Sequence, residues 1–401
     1  MITVMTNPPP APSGGAFTVI HVLQPFASGV VTVVAALCTG LPDMRHIVVH
    51  GTQLPVDAID RVKARFPAGT AFVPWPSAAR EISLKGDLCA LRELLGILRP
   101  YKDAPRTVVH LHSSKAGFLG RLACRILGIR SVIYTPHCGA FLRTDIGPAK
   151  RRFFRFLEWV GARMGGMVVG CGPSEGAAYA AFGPAVWVAN GVPLPPSRPA
   201  KGIAPRMVTF CGLASVQKNP RLFNEIALAF PAQPFCWIGD GPLTRELSAP
   251  NITITGWLSP SDLSRILEDT LVFLSTSSWE GLPCAGLEAL AASRALLATD
   301  VPGNRDLVTP GENGFLFRGP AEGIAALSRL LADPEAALRM GRASRALAES
   351  RFSLESMAAG YRRVYEEVAG HGQQVKGSDP DLTLSRGTSY THLMRIKRRC
   401  R

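Results

Sequence analysis

The sequence predicts an α/β protein with two doubly wound, Rossmann-like domains that face a central cleft. Short apolar runs typical of buried strands alternate with helix-like stretches along most of the chain, which is the pattern of parallel α/β sheets. The length of 401 residues exceeds what one ordinary hydrophobic core accommodates. A proline-rich segment divides the alternation into two sets, so we predict one domain on each side of it.

The first domain is predicted at 16–190, after a flexible Pro/Gly-rich N-terminus at 1–15. Its first strand ends in a loop that contains Gly29, where the missing side chain would let the backbone approach a ligand. Six short apolar runs are the strand candidates, at 17–23, 47–49, 70–73, 107–111, 132–134 and 167–169.

A linker at 191–205 leads to the second domain, predicted at 206–352. Six further strands are expected there, at 208–211, 235–238, 252–254, 271–274, 295–298 and 314–317. An amphipathic closing helix at 353–370 follows. Apolar periodicity then stops, so we predict that the basic segment 371–401 is disordered.

Composition excludes several classes of protein. No uncharged apolar run reaches the roughly 18 residues of a membrane-spanning helix, and the N-terminus lacks the pattern of a signal peptide, so we expect a cytoplasmic protein. Nine cysteines occur without a C-x2-C pair and are predicted to be reduced core residues. No metal-ligand spacing is evident and no G-x-G-x-x-G follows the first strand, so we expect neither a metal nor NAD.

The basic charge is concentrated in the first half of the chain. Residues 1–200 contain 21 Lys and Arg against 10 Asp and Glu, whereas 201–350 contain 13 against 15. Arg151, Arg152 and Arg155 alternate with aromatic residues in a helical stretch. Such a helix could lie on the anionic inner face of the plasma membrane, or it could pack on its own domain. Nucleic acid is the less favoured anionic partner.

Glu280 and Glu288 flank a predicted strand-to-helix turn in SSWEGLPCAGLEALAAS. The helix after the turn would direct unpaired backbone N–H groups at the loop, where they favour phosphate. A lone acid among apolar helix residues is costly unless it is paired, and vicinal ribose hydroxyls are suitable partners for Glu288. The pair therefore indicates a sugar-nucleotide site. Glu280 as an acidic helix cap and Glu288 as a solvated helix residue are the alternatives.

Other polar residues follow the ends of predicted strands. Lys218 lies on the loop that Gly212 begins in FCGLASVQKNP, where its charge could meet a diphosphate, although an ordinary exposed lysine is the alternative. His112, Ser113 and Lys115 follow another strand, and we predict an acceptor-side role for them. A helix cap by Ser113 or its neighbour Ser114 is equally compatible with the sequence.

These segments resemble the family-four retaining glycosyltransferases, which have the two-domain GT-B fold and an E-x7-E motif. The matching segments keep the family's order and cover about 17–370, and they are HLHSSKAGFLGRLA, YTPHCGAF, ANGV, FCGLASVQKNP, WIGDGP and SSWEGLPCAGLEALAAS. The resemblance implies a metal-independent enzyme that transfers a sugar from a nucleotide sugar to an acceptor. It also implies that the closing helix returns to the first domain.

The resemblance assigns roles to individual residues. His137, in YTPHCGAF, would act near the transferred sugar together with Glu280, although a histidine held only by the backbone is the alternative. The donor-binding residues would be Gly29, Gly212, Lys218, Gly239, Gly281, Leu282 and Glu288. The family usually has an arginine directly after Gly212, and this chain has Leu213. One phosphate contact must therefore come from elsewhere.

The resemblance favours a role in capsule, exopolysaccharide or O-antigen assembly, with a saccharide acceptor carried on polyprenyl diphosphate. Such an acceptor would explain the basic first half. Two other classes share some of these features. A sugar-nucleotide epimerase of the same fold would need acid and base residues and no acceptor, and a non-catalytic membrane or nucleic-acid binder would lack affinity for nucleotide sugars.

Overall fold

The structure is a computed structural model that describes residues 17–54, 56–79, 81–195 and 206–373. The predicted N-terminus at 1–15, most of the linker and most of the basic tail lie outside these residues. The described chain forms two parallel sheets with helices on both faces. This is the predicted fold class, and each sheet belongs to one half of the chain.

The first sheet contains seven parallel strands in the order β3-β2-β1-β4-β5-β6-β7. Their bounds are β1 Thr18–Leu23, β2 Arg45–Gly51, β3 Ala71–Trp75, β4 Thr107–His112, β5 Val132–Thr135, β6 Met167–Gly170 and β7 Ala185–Trp187. Six of them match the predicted runs. The seventh, β7, was not predicted, because it has three residues and its Val186 and Trp187 are exposed.

The second sheet contains six parallel strands in the order β10-β9-β8-β11-β12-β13, and all six were predicted. Their bounds are β8 Met207–Cys211, β9 Phe235–Ile238, β10 Ile252–Gly256, β11 Thr270–Ser275, β12 Ala295–Thr299 and β13 Gly314–Phe317. The central strand β11 is buried along its whole length. Burial on both faces explains why its sequence is a continuous apolar run.

Helices cover both sheets. They are α1 Ser28–Gly40, α2 Val56–Lys63, α3 Leu84–Leu98, α4 Ser113–Leu127, α5 Pro148–Arg163, α6 Pro173–Tyr179, α7 Pro220–Leu228, α8 Pro260–Asp269, α9 Cys284–Ala291, α10 Pro302–Arg305, α11 Pro320–Ala332, α12 Pro334–Arg351 and α13 Leu354–Gln373. Seven of these helices begin with proline, which fits the first helical position because its missing N–H would have no partner there.

Helix α13 leaves the second domain and packs on the first. Its Tyr361 and Tyr365 are fully buried with residues of α1 and β4. The Tyr365 hydroxyl lies 2.8 Å from His110 Nδ1, and both guanidinium nitrogens of Arg362 donate to the Asp43 carboxylate. The helix therefore joins the two halves of the molecule through a buried aromatic contact and an ion pair at the surface.

Each sheet reverses its strand order at one point. The reversal lies between β1 and β4 in the first sheet and between β8 and β11 in the second. Loops on the two sides of such a reversal diverge and leave a crevice beyond the carboxyl ends of the strands, where ligands of open α/β sheets bind. The site is therefore expected at the loops that follow these four strands.

Candidate active site

The loops after β8 and β11 meet and form a charged pair. Lys218 Nζ contacts Glu280 Oε1, and Gln217 Nε2 lies 3.5 Å from the other carboxylate oxygen. The Thr276 hydroxyl donates to the Lys218 carbonyl at 2.8 Å, which fixes one loop on the other. Glu280 is buried, with 5% of its surface exposed. The structure thus brings together two residues that sequence reasoning had placed on separate loops.

Glu280 does not cap the helix that follows it, so the capping alternative is wrong. The N-cap of α9 is Pro283. Proline has no side-chain acceptor, and no side-chain hydrogen bond caps this helix. The first backbone N–H groups of α9 therefore remain available to an anion.

Glu288 lies one turn inside α9 and is half-buried. Among the residues that the structure describes, its carboxylate has no hydrogen-bond or ion-pair partner. Burial raises the pKa of this carboxyl to about 7, and the positive charge of Arg65 opposes that rise. A partly desolvated acid without a partner needs hydrogen-bond donors from a ligand.

A second uncapped helix faces α9 from the first domain. Helix α1 begins at Ser28 without a side-chain cap. A Cβ atom on Gly29, the next residue, would lie 3.8 Å from Cys284 Sγ at the start of α9. Two helix N-termini therefore meet across the cleft, and their partial positive charges favour a ligand that carries several negative charges.

The other donor-side glycines allow backbone segments to approach closely. Gly239 has a φ of +129°, and a Cβ there would lie 2.3 Å from the Gly212 carbonyl oxygen. A Cβ on Gly281 would lie 2.9 Å from the backbone nitrogen of Cys138 in the first domain. Leu282, which follows, is buried, and its carbonyl accepts a hydrogen bond from the Asn190 amide at 3.2 Å.

Leu213 leaves the expected arginine position without a charge. Its side chain is 39% exposed. Arg65 is a different cation near the site, which sequence reasoning did not single out. Its Nη2 donates to the Thr32 hydroxyl on α1 at 2.8 Å, and its charge lowers the pKa of both Glu288 and Cys284 against the effect of burial. Nothing in the local sequence DRVKARF around Arg65 indicated this role.

His137 lies in a strained loop after β5. Its φ is +53° and that of Cys138 is +76°, which is the left-handed region. The buried carboxylate of Glu175 holds the loop, because it accepts hydrogen bonds from the backbone nitrogens of Cys138 at 2.6 Å and Gly139 at 3.3 Å. Sequence reasoning missed Glu175. A lone acid at the start of the apolar helix α6 was the available signal.

The residues predicted on the acceptor side separate in the structure. His112 is the N-cap of α4, and its Nδ1 lies 3.0 Å from His137 Nε2. No side chain caps α4, so capping by Ser113 or Ser114 is wrong; Ser113 instead takes a φ of +69°. Lys115 points to α3, where it pairs with the Asp87 carboxylate.

Contacts between the domains hold the cleft together. Asp306, after α10, accepts hydrogen bonds from the Ser174 hydroxyl at 2.7 Å and from the Ser174 backbone nitrogen at 3.0 Å. Burial raises the pKa of the Asp306 carboxyl, and these hydrogen bonds oppose the rise. Ser174 belongs to α6, the helix that also carries Glu175. The same short helix therefore supports the His137 loop and binds the second domain.

The eight described cysteines are free thiols, as predicted, but the prediction of a core position is wrong for Cys89, which is exposed. Cys400 lies outside the described residues. Within the same part of the chain, two buried groups bring potential metal-ligand atoms within 4.8 Å of one another: His21 with His110 and His112, and His21 with Cys38 and His46. Neither group includes Glu280 or Glu288. No helix among the described residues is both long and apolar enough to cross a membrane.

Two Rossmann-like domains whose strand-order reversals face one another define the GT-B class of enzymes. A family model described as glycosyl transferases group 1 matches residues 204–333, and one described as glycosyl transferase 4-like domain matches 28–196. The chain is 30% identical over 275 residues to the UDP-Gal:alpha-D-GlcNAc-diphosphoundecaprenol alpha-1,3-galactosyltransferase of Escherichia coli. The aligned region covers 60% of this chain and 69% of that protein. The chain belongs to the family-four, group 1 glycosyltransferases.

Solved structures agree on the fold. The sucrose-phosphate synthase of Thermosynechococcus elongatus superposes with a TM-score of 0.74 at 16% identity, and it covers 88% of this chain and all of that one. Anabaena HepE in complex with UDP and glucose gives a TM-score of 0.70 at 15% identity over the same shares. The predicted GT-B fold and glycosyltransferase activity are confirmed.

Proposed function

We propose that this glycosyltransferase transfers a sugar from a nucleoside diphosphate sugar to a hydroxyl of a lipid-linked saccharide, with retention of the anomeric configuration and without a metal. The observation that carries the proposal is the half-buried carboxylate of Glu288, which lies one turn inside the uncapped helix α9 and has no partner in the described part of the chain. A nucleotide diphosphate satisfies both features at once, because ribose hydroxyls donate to the carboxylate and phosphate oxygens accept from the helix N–H groups.

The diphosphate would be held by positive charge from the protein. Lys218 and the N-termini of α1 and α9 surround the space between the domains, and Arg65 supplies the charge that Leu213 does not. Glu280, a carboxylate that could have bound a divalent cation, is paired with Lys218 instead. This charge distribution supports a mechanism in which no metal neutralises the leaving group.

Glu280 and the His137 loop would act on the transferred sugar. Gly281 brings the Glu280 loop against the backbone of Cys138, so the two domains meet where the sugar would lie. In the mechanism that we propose, the departing diphosphate takes the proton of the acceptor hydroxyl on the same face of the sugar, while Lys218 stabilises its growing charge. Glu280 and His137 would orient the sugar through its hydroxyl groups.

We infer a UDP sugar as the donor and a polyprenyl diphosphate saccharide as the acceptor. The Escherichia coli relative is named for UDP-galactose and a diphosphoundecaprenol acceptor, and HepE was crystallised with UDP. The basic first domain supports this choice, because an acceptor diphosphate and an anionic membrane surface both attract Lys and Arg. Helix α5 would contact that surface through Phe153, Phe156 and Trp159, which are 48%, 55% and 43% exposed.

Titration calorimetry with UDP, GDP, ADP and CMP tests the nucleotide assignment. We expect UDP to bind and CMP to bind poorly, since CMP lacks the second phosphate. Incubation of the protein with UDP-galactose and a short polyprenyl diphosphate N-acetylglucosamine then tests transfer, with the anomeric configuration read by NMR. Activity should survive EDTA. An inverted product contradicts retention, loss of activity in EDTA contradicts metal independence, and an epimerised nucleotide sugar without transfer favours the epimerase alternative.

A further inference from the structure

Four histidines from separate parts of the chain form a continuous row of hydrogen-bonded rings. His137 Nε2 lies 3.0 Å from His112 Nδ1, and His112 Nε2 lies 3.1 Å from His21 Nδ1. His21 Nε2 lies 3.1 Å from His46 Nδ1, and His46 Nε2 lies 2.9 Å from the carbonyl oxygen of Leu41. His112, His21 and His46 each use both ring nitrogens, and His137 uses Nε2, so the row runs from the cleft to the end of α1.

The sheet explains why these rings align. Residues at alternate positions of a strand point to the same face, and strand register places His46 of β2, His21 of β1 and His112 of β4 on a diagonal across three neighbouring strands. Helices α1 and α13 cover this face. His110 lies on it too but stays outside the row, because its nitrogens are bonded to Tyr365 and Thr135.

Burial favours the neutral form of every ring in the row. Burial lowers the pKa of all four imidazoles, to about 4 for His137, and each charged ring would also disfavour a charge on its neighbours. A neutral imidazole has one N–H donor and one bare nitrogen. The tautomer of one ring therefore fixes the tautomer of the next.

The carbonyl of Leu41 sets the direction of the row because it can only accept. His46 must donate to it from Nε2, which leaves His46 Nδ1 bare to accept from His21 Nε2. His21 Nδ1 is then bare and accepts from His112 Nε2. His112 Nδ1 is bare in turn, so His137 must donate to it from Nε2. His137 Nδ1 is then the bare nitrogen, and it has no partner among the described residues.

We propose that His46, His21 and His112 form a tautomer relay that makes His137 Nδ1 a hydrogen-bond acceptor in the cleft. The ligand that suits this nitrogen is a hydroxyl group of the transferred sugar, which would donate to it. The relay makes His46, His21 and His112 positioning residues, and all three lie in strands of the first sheet. The link to sugar transfer rests on the proposed function, whereas the tautomers themselves do not.

A bound metal would reverse the relay. His21 Nε2, His46 Nδ1 and Cys38 Sγ lie near one another, and a metal there would need both nitrogens bare. His21 would then carry its proton on Nδ1, and His112 and His137 would carry theirs on Nδ1 as well. Metal analysis of the purified protein decides this point: a stoichiometric transition metal overturns the proposed direction, and less than about a tenth of an equivalent supports it.

The direct test is the 15N NMR spectrum of wild-type protein labelled at the histidine rings, recorded at neutral pH without substrate. Single histidine variants assign the signals, since nitrogens with and without a proton resonate far apart. We expect His137, His112, His21 and His46 all to carry the proton on Nε2. An Nδ1-protonated or rapidly exchanging His137 overturns the relay, whatever reaction the enzyme catalyses.

Two substitutions of His46 then connect the relay to turnover. Phenylalanine fills the space but cannot donate to Leu41, so His46→Phe should randomise the His137 tautomer and lower kcat roughly 10-fold, with UDP affinity unchanged. Glutamine can donate to Leu41 and accept from His21, so His46→Gln should keep the tautomer and most of the activity.

His50→Phe is the matched control. It changes a buried histidine on the same strand and face that lies outside the row, and its Nδ1 lies 3.0 Å from the Gly51 carbonyl oxygen. This variant should leave the His137 tautomer and kcat as in wild type. If His46→Phe loses the tautomer and keeps wild-type kcat, the relay has no role in transfer, while the transferase assignment still stands on wild-type activity. If His46→Phe does not fold, the wild-type spectrum and His46→Gln decide the question.

Discussion

The two domains build their halves of the cleft in different ways. The second domain uses residues that are close in sequence: Gln217 and Lys218 on one loop, and Glu280, Gly281 and Glu288 around one helix start. The first domain uses a network of distant residues, in which Glu175 holds the loop of His137 and a row of rings reaches back to His46. The second domain therefore binds through residues of local sequence motifs, whereas the first domain positions the His137 loop through contacts that cross its sheet.

The largest effect should follow the loss of charge at Glu280. Glu280→Gln keeps the shape of the side chain but removes the partner of Lys218 and the charged contact to the sugar. We expect kcat to fall about 100-fold, with affinity for free UDP unchanged or higher because Lys218 is released. Glu312→Gln, at an exposed position in the same domain, is the control. Equal losses of UDP affinity and turnover would contradict a role on the sugar.

Glu288 should act on the nucleotide instead. Glu288→Gln or Glu288→Ala should weaken UDP binding by about 1.5–3 kcal/mol, the scale of hydrogen bonds to a charged group. The sign of the pH dependence follows from the raised pKa of about 7: UDP needs the ionised carboxylate, so wild-type affinity should increase as pH rises from 6 to 8. Calorimetry should show no such increase for Glu288→Gln. Unchanged UDP affinity in a folded Glu288→Ala protein would contradict the ribose assignment.

The contrast between the domains also explains what the sequence could predict. Most of the twelve predicted strands were visible because parallel strands buried on both faces are continuous apolar runs. Glu280, Lys218 and Glu288 were visible because local motifs carry them. Glu175 and Arg65 were not, since each reaches the site only through the folded chain. His21 and His46 belong to none of the motifs found in the sequence, and only strand register brings them beside His112.

Membrane binding would add a surface function to the first domain alone. Helix α5 presents Phe156 and Trp159, whose rings stack at 5.9 Å, beside the exposed Arg152. Because each basic residue near an anionic bilayer contributes about 1 kcal/mol, Arg152→Glu should weaken binding to anionic vesicles by roughly 1–2 kcal/mol. Phe156→Ser should weaken it too, by removing buried apolar area. Cosedimentation at rising salt measures both.

Two controls separate α5 from other basic regions. Arg245→Glu, at an exposed position of the second domain, should bind vesicles like wild type. A chain that ends at Gly370 tests the basic tail: if this truncation alone abolishes binding, the tail is the anchor and α5 only packs on its own domain. Tight binding to single-stranded nucleic acid, with none to vesicles, would favour the nucleic-acid alternative over the membrane.

The smallest expected effect on UDP affinity concerns Arg65, which connects the two domains. Arg65 belongs to the first domain, but its charge acts on Glu288 of the second, where Leu213 replaces the family's usual arginine. Arg65→Leu should weaken UDP binding by about 1 kcal/mol, because an exposed charge contributes less than a buried one. Arg61→Leu, on the preceding helix α2, is the control.

A second substitution makes this last prediction sharper. If Arg65 and the missing arginine serve the same diphosphate, Leu213→Arg should restore UDP affinity in the Arg65→Leu protein and add less in wild type, where the charge is already present. The two substitutions would then be non-additive in a double-mutant cycle measured by calorimetry. Strictly additive effects would mean that the two positions meet different parts of the donor. In that case Arg65 would not share the diphosphate with position 213.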